Sequence, residues 1–215
     1  MSAADPSGEG RRQVEITSRT TRYEGRYRLV EYVFSCDSPT GRGRITGARR
    51  EVFERGDSAA ALIHDVERDV IILAEQFRIA THAAGPGYML EAMAGSLEPG
   101  EDPEACIRRE MMEEVGYRAG ELRLVARLFA SPGASSERMF LYYAPVRTSD
   151  LIDPQACGLA AEAEDIRRVE LSRKEFLRRV RSAQIADAKL MTLGLWLLSS
   201  PRRGAPARPG PETGR

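Results

Sequence analysis

From residue 14 to residue 56 the pattern of polar and apolar residues is that of β-structure. Residues 27–34 (YRLVEYVF) mix apolar alternation with β-branched and aromatic side chains, and residues 37–41 (DSPTG) break the run. A further strand is expected over residues 48–55. Residues 59–64 and 70–78 are short apolar runs joined by DVERD, which predicts a hairpin with buried strands. His64, at the end of its run, reads as a turn residue rather than a ligand. Residues 83–87 read as a loop, and residues 88–94, 122–129, 139–146 and 165–171 as strands. Ser172 and Glu175 have capping-box spacing and open a helix that runs to about Ser182. Asp187 opens a last helix whose core side is Leu190, Leu193 and Leu197, with Trp196 and Leu198 beside them.

One helix stands out from the rest. Asp102 is an N-cap candidate, Pro103 suits the first helical position and Gly116 suits the stop, which predicts a helix of three to four turns. Glu110, Glu113 and Glu114 stand at i, i+3 and i+4, so their carboxylates fan out from one face. Like charges at that spacing oppose each other by roughly 0.2–0.5 kcal/mol per pair. A divalent cation reverses the sign of that interaction.

Strands on both sides of this helix, with helices at the end, predict an α/β fold with a mixed sheet. The early strands precede it by some forty residues and should form a small antiparallel sheet of their own. The expected division is a disordered tail over 1–12, the small sheet over 13–57, the main domain over 58–200 and a Pro/Gly/Arg-rich disordered tail over 201–215. The chain has 215 residues, 42% apolar and 30% charged, with 32 basic and 32 acidic side chains. That balance gives no overall field for nucleic acid or an anionic membrane. No run approaches a membrane span or a signal-peptide core. Cys36, Cys106 and Cys157 are widely spaced and odd in number, which reads as reduced thiols in a cytoplasmic protein. With only two histidines and no cysteine cluster, any metal would be oxygen-bound, magnesium or manganese rather than zinc.

The full pattern from Gly95 to Tyr117 is Gly, five residues, Glu101, seven residues, Arg109-Glu110, an apolar residue, any residue, Glu113-Glu114, any residue, Gly116 and an apolar-type residue. It resembles the Nudix box of nucleoside-diphosphate-X hydrolases, with every specified position filled. The resemblance implies a Nudix-type α/β/α sandwich and hydrolysis of a pyrophosphate. It assigns Mg2+ (or Mn2+) to Glu110, Glu113 and Glu114, with Glu113 also placed in the catalytic machinery, and adds the backbone carbonyl of Ala94 as a ligand. Gly95, Glu101, Arg109 and Gly116 are structural in the motif, with Glu101 and Arg109 pairing to hold the loop against the helix.

Beyond the box, roughly residues 23–198 resemble the ADP-ribose and GDP-mannose pyrophosphatase branch. Residues 49–56 (RREVFERG) look like its arginine-bearing strand, which implies substrate contact for Arg50 and Glu51. Residues 75–78 (EQFR) look like its Glu-Gln-x-Arg strand, which implies the same for Arg78. Residues 130–133 with Ser136 and Glu137 look like the ADP-ribose hydrolase segment, and Tyr27 aligns with an aromatic that stacks on the base. Residues 158–166 resemble the late loop that supplies a catalytic glutamate: Glu162 matches the general base and Glu164 is its competitor. The branch also implies a homodimer in which the early sheet crosses to the partner; residues 14–56 carry too few apolar strands to stand alone.

The readings, in order, are ADP-ribose cleavage to AMP and ribose 5-phosphate, then GDP-mannose hydrolysis. Residues 77–81 and 104–110 look at least as much like the GDP-mannose enzyme. A reading of a different class is a non-catalytic nucleotide-sugar sensor, against which stands the survival of every box carboxylate.

Overall fold

The computed structural model describes residues 12–156, 158 and 165–200. The tails expected over 1–12 and 201–215 therefore lie outside the described residues, apart from Arg12, and so does Cys157. The described residues fall into two compact units, those within Met1–Ser58 with Arg127–Phe140, and those within Ala59–Ala126 with Leu141–Arg215.

The first unit is a three-stranded antiparallel sheet in the order β1 (Val14–Glu24), β2 (Arg28–Asp37), β3 (Arg44–Glu54). β1 is exposed along its whole length, and β3 begins four residues before the expected start. Neither feature has an apolar signal. Cross-strand polar contacts hold them instead: Glu54 accepts from Tyr32 Oη at 2.6 Å and from Arg19 Nη2 at 2.8 Å, and pairs with Arg28 at 3.0 Å. The Tyr32 hydrogen bond, opposed by burial and aided by Arg19, keeps the Glu54 carboxyl below its ordinary range. The end of β3 is tied to a distant loop. Phe53 N–H donates to the Ala134 carbonyl at 2.8 Å, and Arg138 forks onto Asp57. This explains why residues 127–140 belong to a unit otherwise made of the N-terminal segment.

The remaining strands form a seven-stranded mixed sheet. Its main path is β10 (Arg167–Ser172), β5 (Val70–Phe77), β4 (Ser58–Asp65), β9 (Arg138–Val146), β8 (Arg123–Phe129). β6 (Tyr88–Glu91) pairs with β5, and β7 (Met93–Ser96) with β4. β4 is buried at all eight positions, so it reads as a continuous apolar run rather than an alternation. The expected strand over 88–94 is split in two at Ala92, because the chain changes pairing partner there. A one-turn helix α1 (Ile79–His82), between the expected strand over 70–78 and the expected loop over 83–87, precedes β6.

Helix α2 (Pro103–Val115) lies against β7, α3 (Arg173–Arg181) against β10 and β5, and α4 (Ala188–Ser199) against α3. The α3–α4 contact is close: a Cβ on Gly194 would fall 2.6 Å from Val180 Cγ2. Ser172 caps α3 by accepting from Glu175 N–H at 3.2 Å. The Glu175 carboxylate is bound by Arg178 and Arg179, which lower its carboxyl to about 2. In α4 the buried positions are Leu190, Leu193, Gly194 and Leu197, while Trp196 and Leu198 are half-buried. No helix among the described residues is long and apolar enough to cross a membrane.

His64 is not a turn residue. It is the penultimate residue of β4, buried, with Nδ1 2.7 Å from Tyr143 Oη and Nε2 3.0 Å from Asp69. Its neighbour Asp65 is fully buried. It accepts from Glu67 N, Arg68 N, Arg68 Nε and Thr148 Oγ1, while Arg68 continues to Tyr117 Oη and Glu170. This cluster joins the β4–β5 turn, the end of α2 and β10. Burial alone would raise the Asp65 carboxyl, but Arg68, Thr148 and Glu67 hold it below the ordinary range.

Replacing Asp65 with Ala is expected to lower the unfolding free energy by about 1–3 kcal/mol in urea titrations, because the Glu67 and Arg68 N–H groups and the Thr148 hydroxyl lose their acceptor. A carboxyl depressed in the folded state stabilises fully above its unfolded pKa of about 3.9, and that contribution is lost as pH falls through the folded value. The wild type should therefore lose more stability than Asp65→Ala on acidification below about pH 4.

Candidate active site

Helix α2 starts and stops as its sequence predicts. Asp102 accepts from Glu104 N–H at 2.9 Å and Ala105 N–H at 3.3 Å, with Pro103 in the first turn. Gly116 ends the helix at φ +72°, and a Cβ there would fall 1.7 Å from the Asp153 carbonyl oxygen. No L side chain fits both constraints.

The buried face of α2 carries Cys106, Ile107, Glu110, Met111, Glu114 and Val115. Glu110 is 9% exposed and Glu114 is 2% exposed. The i, i+4 row that begins at Cys106 thus places two of the three carboxylates on the stripe a soluble helix ordinarily fills with apolar side chains. Moving a carboxylate out of water costs several kcal/mol unless a cation or donors offset it. Glu113, on the neighbouring row, is less buried.

Arg109 supplies part of that offset. Its Nη1 lies 2.7 Å from Glu110 Oε1 and 3.1 Å from Glu113 Oε2, and its Nε lies 3.2 Å from Glu101 Oε1. Glu101 also accepts from Glu98 N–H. The geometry therefore contains the expected Glu101–Arg109 pair, and the same guanidinium also spans two carboxylates of the helix. The bond from Arg109, opposed by burial, depresses the Glu101 carboxyl. Burial works to lower the Arg109 pKa, but Glu101 and Glu110 raise it on balance. Burial and the adjacent Glu101 and Glu110 push the Cys106 thiol up to about 12, so it is an inert core group.

Among the described residues, no three His, Cys, Asp or Glu side chains converge as a ready-made cation site. The cation between Glu110 and Glu113 is Arg109. The donor set nonetheless fits a hard divalent ion, since every candidate ligand is oxygen. Gly95 supplies the close approach: a Cβ there would fall 1.8 Å from Glu110 Oε1, so only glycine lets the backbone next to Ala94 lie on that carboxylate.

Two side chains hold the strand junction just before this loop. Arg78 donates to Glu91 through Nε and Nη2, both at 3.0 Å, and Glu91 is buried. The arginine expected to face substrate therefore has much of its fork engaged within the protein. Asp187 Oδ2 accepts from Ala92 N–H at 3.1 Å. Glu91 and the long reach of Asp187 were not legible beforehand. Asp187 signals only a helix start, and Glu91 is one polar residue in a short strand.

The remaining candidates lie in the first unit. Arg50 and Glu51 are exposed on β3 and, with Glu31 and Arg49, line a shallow open hollow. Arg50 donates from Nη1 to the Arg49 carbonyl. Tyr27 packs edge-on against Phe53, with ring centroids 5.4 Å apart, and lies under the Arg26 and Arg55 guanidinium groups. Glu137 is buried, accepting from Ser58 Oγ at 2.7 Å and pairing with Arg55 at 3.2 Å. Tyr27, Arg55 and Glu137 thus share one cluster.

Glu162 and Glu164 lie outside the described residues. The described flank of their segment, Gly158, donates its N–H to the Glu113 carbonyl at 3.1 Å.

The NUDIX domain family model matches residues 54–191. A GDP-mannose pyrophosphatase of Citrobacter koseri is 36% identical over 160 residues, covering 74% of this chain and 82% of the relative. The proteins of the same name from Escherichia coli (34% over 160 residues; 74% and 82%) and Cronobacter sakazakii (37% over 153 residues; 70% and 78%) are similar to it at the same level. With a family model over more than half its length and relatives of this identity over most of it, the chain belongs to the Nudix hydrolases, in the branch of the ADP-ribose and GDP-mannose pyrophosphatases.

Proposed function

We propose that this protein hydrolyses the pyrophosphate of a nucleoside diphosphate sugar, with GDP-mannose as the first substrate and GMP and mannose 1-phosphate as products. The GDP-mannose choice is carried by one observation: the relatives at 34–37% identity over most of the chain bear the name GDP-mannose pyrophosphatase. ADP-ribose is the second reading, favoured by the loop at residues 130–137 with its Ser-Pro-Gly and Glu137.

Nudix enzymes generally need divalent metal ions such as Mg2+. Glu110, Glu113, Glu114 and the Ala94 carbonyl would hold it here, with Mn2+ as a substitute. When bound, the ion neutralises phosphate oxygens and orients or acidifies water. The chain's own residues do the rest. Gly95 keeps the loop pressed on Glu110, and Arg109 holds Glu101, Glu110 and Glu113 in one network, so the carboxylates need little reorganisation. Glu162 takes the proton of the attacking water, or Glu164 in its place. The new bond joins water oxygen to one phosphorus, and the bridging P–O bond breaks toward the other phosphate. Arg50, Glu51, Arg78, Glu137 and Tyr27 are the proposed substrate contacts. Arg78, with Glu91 on its fork, also serves the strand junction.

We assign the N-terminal sheet a role in a homodimer. Support comes from the exposed apolar side chains on its strands: Val14, Ile16, Tyr23 and Ile45.

Glu114→Gln is expected to keep the circular dichroism of the wild type and to lower turnover by roughly 10²-fold or more; a near-normal rate overturns the metal assignment. Coupled phosphate release from GDP-mannose and ADP-ribose at equal concentration should favour GDP-mannose, and a large preference for ADP-ribose would exchange the two readings. Chelation should stop both reactions. Light scattering on the eluting protein should give twice the chain mass, whereas a monomer would remove the dimer assignment.

A further inference from the structure

We infer that Asp187 is a positioning residue for the metal loop, acting through the backbone of Ala92. Ala92 sits where the chain leaves its pairing with β5 and takes up pairing with β4. A buried N–H at such a switch needs an acceptor. Asp187 Oδ2 provides it at 3.1 Å from 95 residues away. On the other side of the junction, the Arg78 fork holds Glu91 at 3.0 Å. Residues 91 and 92 are therefore fixed from two directions, and two and three residues beyond Ala92 come Ala94 and Gly95, the latter lying on Glu110.

The same carboxylate caps α4, accepting from Lys189 N–H at 3.2 Å and Leu190 N–H at 3.3 Å, and Lys189 Nζ lies 2.8 Å from Oδ1. Capping alone would not require aspartate, since serine caps comparably. What serine lacks is the reach to Ala92 and a second oxygen. Asp187 is buried, so its geometry is not averaged by solvent. Outer partners of this kind set ligand orientation, and their loss costs about 10- to 100-fold in metal affinity.

This inference presupposes the proposed metal carboxylates, and its test separates the two. The full-length protein is titrated with Mn2+ in the absence of substrate, with free Mn2+ read by electron paramagnetic resonance. Wild type, Glu114→Gln, Asp187→Ser and Asp187→Asn are compared, with thermal melts alongside. Asp187→Ser, which retains a helix cap, is expected to weaken Mn2+ binding about tenfold or more. Its melting temperature should fall by only a few degrees, about 2–4 °C per kcal/mol at this size. Asp187→Asn, which keeps one acceptor oxygen, should recover part of the affinity. Unchanged Mn2+ binding in Asp187→Ser, with loss in Glu114→Gln, overturns the positioning role alone. Unchanged binding in Glu114→Gln overturns the metal assignment and this inference with it. If Asp187→Ser does not fold, Asp187→Thr, which also caps the helix without the reach to Ala92, decides: wild-type affinity overturns the role, and weakened affinity at near-wild-type melting temperature supports it.

Discussion

Carboxylates on a core-facing helix row are costly, and much of the second unit is arranged to hold them there. Glu110 and Glu114 occupy positions on α2 that packing alone would give to leucine or valine. Arg109 bridges Glu101, Glu110 and Glu113, so that the loop before the helix and the helix itself share one guanidinium. Gly95 removes the side chain that would keep the loop away. Asp102 and Gly116 then fix where the helix begins and ends.

The first unit follows a different logic. Its strands are joined in large part by charged and aromatic contacts such as Arg19–Glu54, Tyr32–Glu54 and Tyr27–Phe53. The loop at residues 131–136 joins this sheet by hydrogen bonds to Phe53, which brings Glu137 into the cluster of Arg55 and Ser58. Two carboxylates that look alike in the sequence, Glu137 and Glu113, thus have different neighbourhoods. Glu137 is enclosed by a hydroxyl and an arginine of its own unit, while Glu113 stands at the side of the acidic row.

Helix α2, the β4–β5 hairpin and the last two helices were legible because their signals are local. Caps act within four residues, and a strand buried on both faces shows as an unbroken apolar run. Strand β1 was legible only as part of a β region starting at Val14; its bounds were not, since its Thr, Ser and Arg carry no core-facing period and pairing with β2 sets them. The split at Ala92 was also hidden, because a change of pairing partner leaves no composition mark. His64 misled for a related reason: its place at the end of an apolar run looks like a turn, yet Tyr143, 79 residues away, gives its ring a buried partner.

By itself the sequence determined the family, the chemistry of the candidate metal ligands and the helix that presents them. These follow from residue type at fixed local spacing, which the α-helix converts directly into a shared face. Only the tertiary structure decided that two of those carboxylates are buried, that Arg109 spans three acids, and that Arg78 and Asp187 hold the junction before Ala94. The Asp187 contact spans 95 residues, whereas Arg109 and its acids lie within residues 101–113 and need only the loop to fold back over the helix. Glu91 and Asp187 acquire their partners from the path of the sheet and the position of α4, which no local pattern encodes.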